Sequence, residues 1–139
     1  MASPLAARQI MQRSEDYSKL SEDILNVDSR ILAVDIVDYS GDFLARAIRP
    51  TVKDVLGADR NLARRWAAWS TLLVGLSKQF DDVLSETEFI VIGRKNFKRL
   101  LIPLPARDIV VSLVLVRSTE TSEINDRIRS FIMPSSHNS

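Results

Sequence analysis

The stretch Ile109-Val110-Val111-Ser112-Leu113-Val114-Leu115-Val116 decides the fold. Only Ser112 interrupts its apolar run, and its β-branched content favours a strand. Successive strand side chains point to opposite faces, so this run puts apolar atoms on both. Such a strand belongs at the centre of a sheet, with helices above and below it.

Upstream, Pro105-Ala106-Arg107-Asp108 turns the chain back towards Phe97 to Leu104. Pro103 in that segment requires a place where no backbone N–H is needed. Gly93 to Asn96 forms the next turn and Phe89 to Ile92 precedes it, which makes a hairpin. Downstream, Thr119 to Thr121 offers caps for a last helix carrying Ile124, Ile128, Phe131 and Ile132, which Pro134 stops.

The first half has its own hairpin. Ile31 to Val37 and Phe43 to Ile48 flank the turn Tyr39-Ser40-Gly41-Asp42, and Pro50 ends the second strand. Thr51 to Ala58 is a connector with room for one helical turn around Val52 to Leu56. Ahead of this hairpin, Ser3-Pro4 opens a helix that runs to Asn26, with Tyr17, Leu20, Ile24 and Val27 on one face. The polar run Gln12 to Asp16 allows that helix to be two pieces.

Between the hairpins, Asp59 can cap a helix over Arg60 to Leu84, in which no proline occurs. Leu62, Trp66, Trp69, Leu73, Leu76, Phe80 and Val83 recur at three- and four-residue steps, and Ala68 and Leu72 widen the stripe. A stripe of this width faces a core along its length. It is also wider than one sheet can hide, which leaves part of it for another molecule.

The order is therefore α-β-β-α-β-β-β-α. Tight turns join all strands except across the middle helix, so the sheet is largely antiparallel and the class is α+β. The middle helix takes one face and the terminal helices the other.

Composition sets the outer limits. A chain of 139 residues, 45% hydrophobic and 27% charged, fits one globular domain. Nineteen basic against 18 acidic side chains give a net charge of +1, so no global field draws it to nucleic acid or an anionic membrane. Cysteine is absent, which excludes disulfides and thiolate chemistry. No apolar run approaches the length of a membrane span. The opening residues are too short on apolar residues for a secretory signal; their lack of acids before Glu15, with Arg8 and Arg13, suits an organellar transit peptide, but a helical leader is the better reading.

Residues 15 to 132 resemble the roadblock (dynein light chain-like) domain of the wider profilin-like group. Tyr17-Ser18-Lys19-Leu20-Ser21-Glu22-Asp23-Ile24-Leu25, leading through Asp28 into Ile31-Leu32-Ala33-Val34, is similar to the entry of small roadblock-like proteins of archaea. Glu88-Phe89-Ile90-Val91-Ile92-Gly93-Arg94, with Leu100-Leu101-Ile102-Pro103-Leu104, resembles their second hairpin. The resemblance implies a five-stranded sheet of order 2-1-5-4-3 with helices on both faces. It further implies a dimer of identical or paralogous chains, formed through the middle helix and third strand, a cytoplasmic setting, and adaptor work that can involve small GTPases. Two tryptophans on the middle helix and the long leader depart from the family pattern. The domain is expected over 15–133, with a leader at 1–14 and a disordered tail at 134–139.

The expected partner interface is Leu62, Arg65, Trp66, Trp69, Leu73 and Leu76 on the helix, with Phe89 and Val91 on the strand. Aromatics are enriched in interface cores because they bury large areas at low rotamer cost. The plainer alternative packs both indoles on the sheet. Arg94, Lys95, Lys98 and Arg99 surround Phe97 in the second hairpin and form a candidate anion-binding patch. A charged hairpin guarding a sheet edge is the plainer reading, the neutral chain disfavours nucleic acid, and binding of an anionic membrane surface through hairpin 94–99 stands beside nucleic acid as an alternative. Asp35, Asp38 and Asp42 match no metal-loop spacing, and turns recruit aspartate anyway. His137, the only histidine, lies in the tail where nothing holds it as an acid–base group. No glycine-rich phosphate cradle occurs. No catalytic group, metal or cofactor is expected, and a small-ligand-sensing module is the main alternative to an adaptor.

Overall fold

In the computed structural model, which describes residues 4–56 and 60–133, helix α1 (Pro4–Leu25) leads into strands β1 (Ile31–Asp38) and β2 (Phe43–Ile48). A short turn at Pro50–Val52 and one helical turn, α2 (Lys53–Leu56), precede the middle helix α3 (Arg60–Lys78). A further turn, α4 (Asp81–Leu84), then enters β3 (Ile90–Gly93), β4 (Phe97–Leu104), β5 (Ile109–Val116) and α5 (Thr121–Ile132). The Ser3 and Asp59 caps, the stop at Pro134, His137 and the 134–139 tail lie outside the described residues.

All pairings are antiparallel and the order is β2-β1-β5-β4-β3. Ile109–Val116 is the central strand, pairing with β1 on one side and β4 on the other. Every side chain of β5 is buried up to Val116. Pro103 pairs with Val110 of β5 but lies past the part of β4 that β3 reaches, so its missing N–H costs no ladder bond there.

The two sheet faces carry cores of different size. Ile24 and Leu25 of α1 and Ile124, Ile128 and Ile132 of α5 pack on Ile36, Leu100, Ile102, Val111 and Leu113. The opposite face carries a smaller cluster of Val74, Leu101 and Val110, with Trp66, Leu73, Ile90 and Ile92 against it. Helices thus cover both faces, α1 and α5 on one and α3 on the other.

Three boundaries differ from the periodicity. α1 continues unbroken through the polar Gln12 to Asp16 and crosses position 15 as one helix. The helix expected over Arg60 to Leu84 ends at Lys78, turns at Gln79 and Phe80, and resumes for one turn only. The apolar spacing of the sequence carries on through Phe80 and Val83 although the helix does not. The N-cap of α5 is Glu120, which makes no side-chain cap bond, and the buried Thr119 hydroxyl has no partner among the described residues. Gly41, at φ +93°, makes the first hairpin turn; a Cβ there would stand 3.3 Å from Thr71 Oγ1 on α3.

Candidate partner interface

Helix α3 touches the sheet through its small residues. Ala63, Ala67, Ser70 and Val74 are buried, and their short side chains let the helix axis sit close to β1 and β5. Trp66 and Leu73 pack there too, but the other large apolar residues of the helix point elsewhere. Leu62, Trp69, Leu72 and Leu76 are 57%, 56%, 50% and 50% exposed, and Phe80 beyond the helix end is 58% exposed. Scattered surface leucines are ordinary, but Leu62, Trp69 and Leu76 recur at seven-residue steps and so lie along one side of the helix, with Leu72 beside them.

Trp66 and Trp69 therefore separate. Trp66 is half-buried against the smaller core, and its Nε1–H donates to Ser112 Oγ at 2.9 Å. Its ring also carries the Arg99 guanidinium 4.2 Å from its centroid. Trp69, three residues on, faces out.

Beneath α3 lies a polar set drawn from four strands. Asp35 on β1 accepts from Arg46 Nε on β2 at 2.7 Å, and Arg99 Nη1 on β4 stands 3.7 Å from its other oxygen. Arg99 Nη1 donates as well to Ser112 Oγ at 3.0 Å. Burial pushes the Arg99 guanidinium down to about 10, against the pull of Asp35 in the other direction. The sheet register builds this cluster, because Asp35 pairs with both Arg46 and Ser112 across neighbouring strands.

The other expected interface residues spread over two faces. Leu73 flanks the smaller core and Arg65 is exposed on α3. Phe89 packs into the larger core on the α1/α5 side. Val91 pairs with Leu100 of that same core and so shares its face, whereas Ile90 and Ile92 turn towards α3. Phe89 and Val91 thus do not join the α3 row through side chains. β3 itself is the outermost strand, next to β4 alone, which leaves it as a sheet edge.

The basic hairpin is likewise divided. Arg94 and Lys95 are exposed at the turn, while Arg99 is drawn under α3 and Lys98 Nζ donates to Thr119 O at 3.0 Å. Alternation along β4 puts Lys98 and Arg99 on opposite faces, so the four cations are not one patch. What forms instead is a groove of about 370 Å³ in which Arg94, Lys95 and Arg99 stand beside Leu62, Trp66 and Phe97, with Lys98 on the other face.

The three aspartates of the first hairpin also part company. Asp38 Oδ1 accepts from Ser40 N, Ser40 Oγ and Asp42 N, closing the turn, while Asp35 serves the arginines. Among the described residues no group of three or more histidine, cysteine or acidic side chains is arranged to hold a metal ion. No helix among them is long and apolar enough to cross a membrane.

Sheet order and helix placement define the class: this is the Roadblock/LC7 fold. Solved structures give that class its particular relatives. The chain is similar to the Roadblock/LC7 domain from Streptomyces avermitilis at a TM-score of 0.65, with 9% identity over 84% of this chain and 92% of that one. It is similar to Myxococcus xanthus MglB at 0.59, with 11% identity over 86% and 97% of the two chains. An MglB with a tetrameric arrangement gives 0.63, with 10% identity over 83% and 81%. At these identities the likeness establishes the fold. No protein-family model matches the chain, and no curated protein does. The likeness to archaeal roadblock-like proteins rests on the sequence pattern alone.

Proposed function

We propose that this chain is a non-enzymatic adaptor that dimerises and works by docking to other proteins through the outer row of α3, with the β3 edge beside it. The observation that carries this reading is the exposed row Leu62, Trp69, Leu72 and Leu76 on a helix whose opposite side already meets the sheet. Burying such a row releases about 25 cal/mol per Å² of apolar surface, and a central tryptophan is a typical anchor. The unpaired backbone of β3 can extend the contact by strand addition. A structural neighbour, MglB, occurs in a tetrameric arrangement, which accords with self-association on this fold. The roadblock resemblance adds small GTPases as the class of client that such a dimer serves. Light scattering over a range of concentrations tests the reading. A dimer mass that Trp69→Glu converts to a monomer is expected, and a wild-type monomer at every concentration overturns it.

A further inference from the structure

We propose that the groove between the first turns of α3 and the β3–β4 hairpin is a small-ligand site, and that its ligand is a phosphate monoester carried on a flat unsaturated ring, the chemistry of a mononucleotide. Such a site works on the single chain and does not depend on docking at the α3 row.

At about 370 Å³ the groove lies at the small end of the range for ligand pockets. Its floor is apolar: Val114 is buried on β5, and Phe97 shares the face of β4 that Arg99 takes. Leu62 and Trp66 supply the α3 side, and the hairpin turn brings Arg94 and Lys95 to the other. Among the described residues no acidic side chain lines it, although the whole chain carries 18 acids against 19 bases. That segregation gives a near-neutral protein a local positive field.

Arg99 is a second, independent sign of an anion. Its side chain is 19% exposed, and its one acidic contact among the described residues is Asp35 at 3.7 Å, which Arg46 already holds at 2.7 Å. Its contacts with Ser112 and Asp35 run through Nη1, and a guanidinium carries five N–H donors, so donors remain for a ligand in the groove. Burial, and then the like charges of Arg46 and Arg94, draw this guanidinium below its ordinary value against the pull of Asp35; an anion beside it offsets both. Arg94 and Lys95 are exposed, and their side chains make no hydrogen bond or ion pair among the described residues. Three cations exceed what one carboxylate neutralises. A phosphate monoester carries about two negative charges and three acceptor oxygens, and arginine meets it as a two-pronged fork. Arg99 already covers the Trp66 ring 4.2 Å from its centroid, so the ligand's ring falls to Phe97 and Leu62.

Equilibrium dialysis of the full chain against labelled adenosine monophosphate (AMP) tests the site. AMP should bind saturably with a Kd below about 1 mM, and adenosine or inorganic phosphate alone about tenfold more weakly or worse, since each supplies half the contact. Arg94→Gln/Lys95→Gln, with folding checked by circular dichroism, should weaken AMP about tenfold, the scale of a charge-assisted hydrogen bond. Lys98→Gln removes a cation from the opposite face and should leave AMP binding unchanged. In Trp69→Phe the remaining tryptophan is Trp66, and AMP should change its fluorescence. No saturable AMP binding overturns the site. A loss in Lys98→Gln equal to that of the double variant does so too, because the attraction is then diffuse. Phosphate as tight as AMP removes the ring contact, adenosine as tight removes the anion contact, and either overturns the assignment. A short oligo-thymidylate strand held far more tightly than AMP overturns it in favour of nucleic acid. Mass in solution is measured separately: a dimer that ignores AMP overturns this site alone, and a monomer that binds AMP overturns the docking face alone.

Discussion

Trp66 on α3 and Ser112 on the central strand are joined by a 2.9 Å hydrogen bond, although 46 positions separate them in the chain. The same Ser112 hydroxyl accepts from Arg99 Nη1 at 3.0 Å. One oxygen thus satisfies two half-buried donors, and it does so from the single polar position of β5. Ser112 marks where α3 is fastened to the sheet.

Ser112→Val should accordingly be costly despite its good strand propensity. It leaves an indole N–H and a guanidinium N–H without their acceptor, at about 3 kcal/mol for two half-buried donors. Ser112→Thr keeps the hydroxyl and should recover most of that. Urea unfolding followed by tryptophan fluorescence measures both. Equal stability for the valine and threonine variants would refute the role given to the oxygen.

The two tryptophans should respond oppositely to truncation. Trp66→Ala empties a half-buried site and should lose on the order of 3 kcal/mol of folding stability. Trp69→Glu alters an exposed side chain and should stay within about 0.5 kcal/mol of wild type while shifting mass towards monomer. Chemical unfolding below the dissociation concentration separates the two effects. A large stability loss for the Trp69 variant under those conditions would mean that its ring packs within the protomer.

Asp35 holds two cations in place from a position that is 3% exposed. Asp35→Ala should destabilise by about 3–5 kcal/mol, because Arg46 and Arg99 stay charged beneath α3 without their anion. Replacing all three groups with apolar residues of similar volume should recover much of the loss. Thermal melts of the single and triple variants decide the matter; a triple variant as unstable as Asp35→Ala would contradict it.

These relationships also explain what could be read in advance. Ile109 to Val116 announced a central strand because period-two geometry leaves no other home for apolar side chains on both faces. The hairpins followed from Gly41, Gly93 and the proline stops. The face of α3 was harder. Large residues recur on it at helical steps, but the spacing of Leu62, Trp69 and Leu76 does not say whether the sheet or a partner covers them. Beside Trp66, Leu73 and Val74, much of the sheet contact falls to Ala63, Ala67 and Ser70, which carry little hydrophobic signal of their own. Separating Arg99 from Arg94 and Lys95 needed the register of β4, which brings Arg99 opposite Val114 and under the helix. Asp35 looked like a turn residue beside Asp38 because its partners, Arg46 and Arg99, come from strands that only the fold brings together.

A last prediction concerns acid. Asp28, buried in the link between α1 and β1, accepts from Arg30 N and Nε at 2.9 Å, from Arg30 Nη2 at 2.8 Å, and from Arg127 Nη1 on α5 at 2.8 Å. The hydrogen bonds from the Arg30 side chain, more than any other contact, hold its carboxyl well below the usual carboxylate range, despite the opposing effect of burial. A carboxyl depressed in this way takes up its proton more readily in the unfolded chain, so acid favours unfolding. Its contribution is complete above the ordinary aspartate pKa of about 4 and drains away as pH falls below that towards the folded value. Asp28→Asn should therefore be less stable than wild type at pH 7, and the gap should narrow steadily in more acidic buffer. Urea midpoints for the two proteins across that range measure the gap directly. A constant difference would mean that Asp28 contributes hydrogen-bond geometry but no charge, and the passage from α1 into β1 would then rest on Arg49, whose guanidinium donates to Leu25 O, Asp28 O and Ile31 O.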